Sequence, residues 1–301
     1  AVVTAGIPLI AYDKVNGNDV LNGPRFTIIA GACSLFAVIC YLLCYNMCTE
    51  RVKITPSAEQ LKNNSVGVMF KNAFKNRALL SLIVASILML IAQLTLQQMA
   101  NYVFPNYYGN AKAQTLSMVM MGVGMVVAAF AAKPLAGRFG KAEIGAVSNF
   151  AAGLICVLLY FIRPQNVFVY AAFQMISWIG LGVFQIVAWA LVTDVIDYSE
   201  IRNGIREDGA VYGLYSFARK MGQAATSGLT GALLSLVGYT KDTAFEPSVK
   251  EGIFDIATLV PAVGFILLAI VLWFWYPLHK KQVEEDVRIL KEKHAAEDGG
   301  E

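Results

Sequence analysis

Two adjacent cations, Arg219 and Lys220, stand in a stretch over 210–238 that carries no other charge. Ionisable groups within an apolar helix are costly to bury and mark a solute path or a partner by default. A helix starting near Gly209 puts Lys220 about 16 Å along its axis, near the middle of a membrane. Lysines at a helix end can snorkel to the interface, but a stem at that depth does not reach it comfortably. Tyr212, Tyr215, Ser216, Arg219, Lys220 and Gln223 recur at helical spacing, so they form one polar stripe. Such a stripe on a spanning helix is expected to face the interior of a bundle. Gly222, Ala225, Gly228, Gly231 and Ala232 follow, small residues that let helices approach closely.

A second set lies on the segment before it. Gln174, Trp178, Gln185 and Trp189 keep to one helical face. Amides donate to and accept from hydroxyls, and an indole offers a flat apolar surface. Sugars present both kinds of surface. Ordinary interhelical bonding and aromatic packing read equally well from the same residues, and from Gln93, Gln97, Gln98, Asn101 and Tyr102 further upstream. Asp194, Asp197 and Glu200 close the segment. Acids at a helix C-terminus oppose the macrodipole and call for basic partners. Arg138, Lys141, Arg202 and Arg206 are near them in topology, so a network of gating salt bridges is expected there, against solvated interfacial acids as the alternative.

Enzyme chemistry finds no support. Both histidines, His279 and His294, are in the closing tail. No metal-ligand cluster or nucleophilic triad can be assembled in the apolar segments. Four cysteines, Cys33, Cys40, Cys44 and Cys48, lie along one stripe without a histidine near them and read as small apolar residues. The Gly122-to-Gly124 run lies inside an apolar span with no strand before it, and no phosphate-binding loop is present. A net charge of +3 without a basic patch excludes nucleic acid as a partner.

The elements that carry these residues follow from charge placement. The chain is 57% hydrophobic and 15% charged, with a mean hydropathy of +0.56. Uncharged stretches cover 26–48, 78–111, 113–132, 144–162, 164–193, 221–240 and 256–278. About 20 helical residues cross the hydrocarbon layer, so seven spans are expected, near 26–48, 78–104, 113–133, 143–162, 165–193, 210–238 and 253–277. Membrane strands would be shorter and would alternate strictly. The fold class is therefore an all-α integral membrane bundle. Lys and Arg number 16 in the connections 49–77, 133–141 and 194–209 and the tail, against 6 on the other side. That bias places the 49–77 loop and the tail in the cytoplasm. Trp273, Trp275 and Tyr276, followed by Lys280 and Lys281, form an interfacial belt with a basic anchor. Residues 1–12 read as the end of an earlier apolar helix, and the chain as beginning inside a larger protein. Six spans after a long basic loop fit one half of a carrier built from two six-helix halves. The expected layout is 1–48 as the end of an N-terminal bundle, 49–77 as a middle loop, 78–277 as a C-terminal six-helix bundle and 278–301 as a tail.

The stretch 193–239 closely resembles the glycoside–pentoside–hexuronide:cation symporters, of melibiose-carrier type, within the major facilitator superfamily. The resemblance is carried by Asp194, Asp197, Tyr198 and Glu200, by Gly204, Arg206 and Gly209 with Glu207 or Asp208, by Phe217, Lys220, Gly222 and Ala224, and by Gly238 and Tyr239. It implies twelve helices in the full protein, of which this chain holds about the last seven. It also implies uptake of a sugar or glycoside coupled to Na+ or H+, with no other cofactor, in a multi-pass inner-membrane protein. In the melibiose carriers the motif lysine, here Lys220, lies at the sugar site. Tyr215 and Ser216 stand where those carriers have Gln and Thr. Gln185 stands where they have a sugar-contacting Trp, and Trp189 follows one turn later. The family's cation-binding acids lie on early helices that this chain does not contain.

The sequence thus leads to a secondary active symporter with alternating access. Lys220, Tyr215, Ser216, Gln185, Trp189 and Gln97 are its expected solute contacts. Asp194, Asp197, Arg138, Lys141, Arg206 and Arg219 are its expected gating residues. The alternatives are a membrane sensor or scaffold that kept the fold without transport, and a same-fold carrier of another solute.

Overall fold

The structure, a computed structural model, describes residues 12–15, 18–21, 23–48, 75–110, 112–203, 208–240 and 242–298. The chain divides into two compact units, Ala1–Lys62 and Asn63–Glu301.

In the first unit, β1 (Tyr12–Val15) pairs antiparallel with β2 (Asn18–Leu21), with Tyr12 opposite Leu21 and Val15 opposite Asn18. The sequence between them is Asn16-Gly17, the dipeptide favoured in two-residue hairpin connections. Helix α1 (Gly23–Met47) follows. It is apolar on every side and exposed along its length within its own unit. That is the pattern of a helix whose solvent is lipid or another helix, not water. The helical remnant expected over 1–12 lies outside the described residues, except for Tyr12, which opens the hairpin.

The second unit is a bundle of α2 (Arg77–Tyr102), α3 (Lys112–Phe139), α4 (Lys141–Ile162), α5 (Val167–Asn203), α6 (Asp208–Leu236) and α7 (Pro247–Ile270), closed by α8 (Lys280–Asp298). Asn76 starts α2 by accepting from the Ala78 and Leu79 N–H groups at 3.0 and 3.2 Å. Single π-turns end α2 at Val103–Tyr107 and α7 at Val271–Trp275. The first contains Pro105, which has no N–H to continue an α-helical ladder. Small residues set the helix spacing. A Cβ on Gly180 of α5 would overlap the Ser148 carbonyl of α4, and one on Gly264 of α7 would press on Ala92 and the Leu88 carbonyl of α2. The core runs through Leu82, Ala85 and Met89 of α2, Leu181, Phe184 and Ala188 of α5, and Phe265 and Leu268 of α7.

Six of the seven expected spans are long and apolar enough to cross a membrane, and α6 is the exception. Its 29 residues suffice for length, but its polar stripe lowers the apolarity of every window. The expectation for that stripe also needs correction. Val211, Tyr215, Gly222, Thr226, Thr230 and Leu234 are the buried residues, and Gly222 packs on Ile87 and Leu90 of α2. Tyr212, Ser216 and Lys220 lie on the exposed side. The stripe is wider than the contact one helix can make, so it is divided between an inner seam and an outer face. Down the seam Thr226 and Thr230 donate to the Gly222 and Thr226 carbonyls at 2.7 and 3.0 Å, which satisfies both hydroxyls without a partner helix.

Two boundaries also move. The stretch 194–203, expected as a loop, is the last part of α5. Two of its acids have basic partners there, Asp194 in Lys141 and Glu200 in Lys293. The tail, whose secondary structure the sequence left open, is helical over Lys280–Asp298.

Candidate functional site

The site grows from α5 and α6. Trp189 of α5 stacks on Tyr212 of α6, with ring centroids 6.2 Å apart, and meets Tyr215 edge-on at 5.6 Å. The Arg219 guanidinium lies 5.6 Å from the Trp189 ring centre and 5.7 Å from that of Tyr215. It also donates to the Tyr215 hydroxyl at 3.4 Å. A guanidinium over aromatic faces is stabilised because the ring quadrupoles partly replace the water it has lost. Among the described residues neither Arg219 nor Lys220 reaches an acid. The site is therefore cationic, walled by aromatic rings, and has unspent donors. Its chemistry is to hold an anion or a hydroxyl-rich ring.

Tyr215 is wholly buried, and its hydroxyl is 2.7 Å from that of Ser86 on α2. It fixes α6 to α2 and aims Arg219. Of the expected solute contacts, the structure brings Trp189 and Tyr215 together in this cluster, along with Arg219, which the sequence grouped with the gating residues. Lys220 lies one residue on, exposed, and donates to Gln223 at 3.2 Å. Ser216 is exposed on the same outer face. The Gln185 side-chain oxygen Oε1 is buried and without a hydrogen-bond partner among the described residues. Gln97 is elsewhere, at the rim of a cavity beside α3.

The gating set divides as well. Lys141, at the start of α4, donates to Asp194 of α5 at 2.5 Å. Asp194 is 6% exposed, and its second oxygen has no hydrogen bond. Arg138 does not join this pair but lies over the Phe139 ring at 5.3 Å. Asp197 is half-buried one turn beyond Asp194. Arg206 lies outside the described residues. Glu200 is buried and faces Lys293 of α8 at 3.7 Å.

Other residues at this end have contacts the sequence did not indicate, and Tyr276, expected in the interfacial belt, is wholly buried. Glu143 of α4 accepts from the Lys280 backbone N–H at 3.0 Å and lies 3.3 Å from His279, so it caps α8 from another helix. Lys280 in turn donates to the Gly137 and Arg138 carbonyls that end α3. The Tyr276 hydroxyl is buried without a hydrogen-bond partner among the described residues. A basic residue following Trp-Phe-Trp-Tyr was the one signal available in sequence; the lone acid Glu143 gave none.

At the opposite end Arg163 caps α4 in the left-handed conformation (φ 44°) and pairs with Glu251 and with Asp255, the latter at 2.6 Å. Tyr107 stacks on Phe254 beside it at 4.6 Å, and Tyr170 lies 5.7 Å from the same ring.

A helix bundle with this arrangement is an integral membrane protein of carrier type. The sequence matches the family model described as MFS/sugar transport protein over residues 3–280, and the chain belongs to that family. It is 28% identical to an uncharacterized symporter of Bacillus subtilis, over 89% of this chain and 58% of that protein. A glucuronide carrier protein homolog of Escherichia coli is 28% identical over 84% of this chain and 54% of its own length. A putative sulfoquinovose importer of the same species is 27% identical over 87% and 56%. The chain thus spans a little over half the length of these relatives.

Proposed function

We propose that this chain contributes one wall of the solute pathway in a secondary active carrier of acidic sugars, working by alternating access. The observation that carries this reading is Arg219, half-buried and held on Trp189 and Tyr215 without an acid among the described residues, with Lys220 exposed beside it. A partly buried cation without a counter-ion is stabilised when a ligand brings one. A uronate or sulfonate supplies the charge, and its ring lies on the indole and phenol faces. Two relatives are named for a glucuronide and for sulfoquinovose, sugars that carry such groups. Lys220, Ser216 and Gln185 complete the contacts, Gln185 through its unpartnered oxygen.

In this reading uptake is coupled to Na+ or H+, and the protein lies in the inner membrane with 49–77 and α8 in the cytoplasm, as the bias of basic residues favours. The Lys141–Asp194 pair closes the cytoplasmic side. The test is uptake of a glucuronide and of its neutral glucoside into proteoliposomes holding the full-length protein. Arg219→Gln removes a charge-assisted bond of about 1.5–3 kcal/mol, a loss of about 10- to 150-fold in glucuronide affinity. The neutral sugar should change little. Equal losses for both, or none, refute the assignment, and uptake that ignores both a Na+ and a pH gradient refutes the coupling.

A further inference from the structure

A cavity of about 330 Å³ lies between α2, α3 and α5, away from the Arg219 cluster. Gln97, Gln114, Gln174, Ser117 and Trp178 line it, with Met118 and Met121 as soft walls. Its polar groups are only partly used. Gln114 donates to Asn101 at 2.7 Å, which leaves its carbonyl free. Gln174, itself buried, donates to Tyr170 at 2.7 Å and receives the Ser117 hydroxyl at 3.4 Å, with one N–H left over. Among the described residues Gln97 and the indole N–H of Trp178 have no hydrogen-bond partner, and Trp178 is only 5% exposed.

Among the described residues the cavity is lined by amides and an indole and by no charged side chain. Its volume is at the small end of ligand pockets. Those features suit the hydroxyls and one face of a single pyranose ring. Trp178 and Trp189 are eleven residues apart on α5, so they share a helical face at depths that differ by about 16 Å. That separation exceeds the span of a disaccharide, so the two sites do not hold two halves of one small glycoside. The cavity is also nearer the Val167 end of α5, opposite the end that carries Asp194.

Resting on the carrier reading above, we infer that this cavity is a separate outer subsite that binds the hydroxylated ring of the solute, reading hydroxyls and not charge, before transfer to the Arg219 cluster. The experiment uses the full-length protein in lipid nanodiscs. The double variant W189F/R219Q removes the inner reporter and charge, and tryptophan emission is followed on adding methyl β-D-glucoside or methyl β-D-glucuronide. Both sugars should give a saturable change with nearly equal affinity, and W178F should abolish it. Gln97→Leu, at an exposed position without hydrogen bonds, removes one contact and should weaken binding about fivefold without disturbing the fold. No saturable change, a preference for the charged sugar, or indifference to Gln97→Leu would overturn the subsite. A carrier that takes up glucuronide through Arg219 while showing none of these responses would lose the subsite and keep the function. Sugar binding here without uptake would do the reverse.

Discussion

The Lys141–Asp194 pair is asymmetric, and the two single substitutions should therefore differ. Asp194 is 6% exposed, with a second carboxylate oxygen that has no hydrogen bond, whereas Lys141 is 33% exposed. Lys141→Met leaves a buried carboxylate facing no cation, the situation that costs about 3–5 kcal/mol. Asp194→Asn leaves a lysine that can still reach water and an amide oxygen that can still accept from it. The new amide N–H₂ sits where the orphan oxygen was, a cost of about 1–2 kcal/mol. For a unit of this size about 1 kcal/mol moves the unfolding midpoint by roughly 2–4 °C. Thermal unfolding of the purified protein should thus fall by roughly 6–20 °C for Lys141→Met and by roughly 2–8 °C for Asp194→Asn. The double variant should be milder than Lys141→Met alone, because the neutral amide no longer needs the cation. A larger drop for Asp194→Asn, or strictly additive losses in the double variant, would refute the argument from unequal burial.

Tyr215→Phe removes the hydroxyl shared by Ser86 and Arg219. Interhelical bonds in membranes are worth about 0.6 kcal/mol on average and up to about 1.7, so stability should fall modestly. The clearer effect should be a loss of glucuronide affinity in the uptake assay, since Arg219 loses its aim; unchanged affinity would count against that role. Gly140→Ala places a Cβ at a φ of 106° and against Glu143, which caps α8. A cost of about 1–3 kcal/mol is expected from the backbone alone. Limited proteolysis should then cut within Lys280–Asp298 sooner than in the parent, and equal cutting rates would show that Glu143 does not hold α8.

Much of the architecture is legible in the order of residues. Apolar runs long enough to cross a membrane, broken at basic connections, locate the helices because lipid tolerates no unpaired backbone. The span hardest to recognise by apolarity, α6, is the one with the most chemistry on it, since Arg219, Lys220 and Gln223 that mark the site also lower its hydropathy. Periodicity shows that Tyr215, Arg219 and Lys220 share a broad stripe. It cannot show which part of that stripe is seam, because that depends on how α6 rotates against α2. Ser86 carries no signal at all, being one small polar residue in an apolar helix, yet it positions Tyr215.

Sequence alone determined the helical class, the alternation of basic and neutral connections, and the presence of two cations within a span, since these depend on residue type and order along one chain. Only the tertiary structure decided that Arg219 rests on Trp189, thirty residues earlier in the chain, that Asp194 meets Lys141, and that Glu143 caps a helix beginning at Lys280. Those pairings arise from the rotation and depth at which helices pack. Close fits such as Gly180 on Ser148 and Gly264 on Leu88 set that geometry, and no local pattern encodes it.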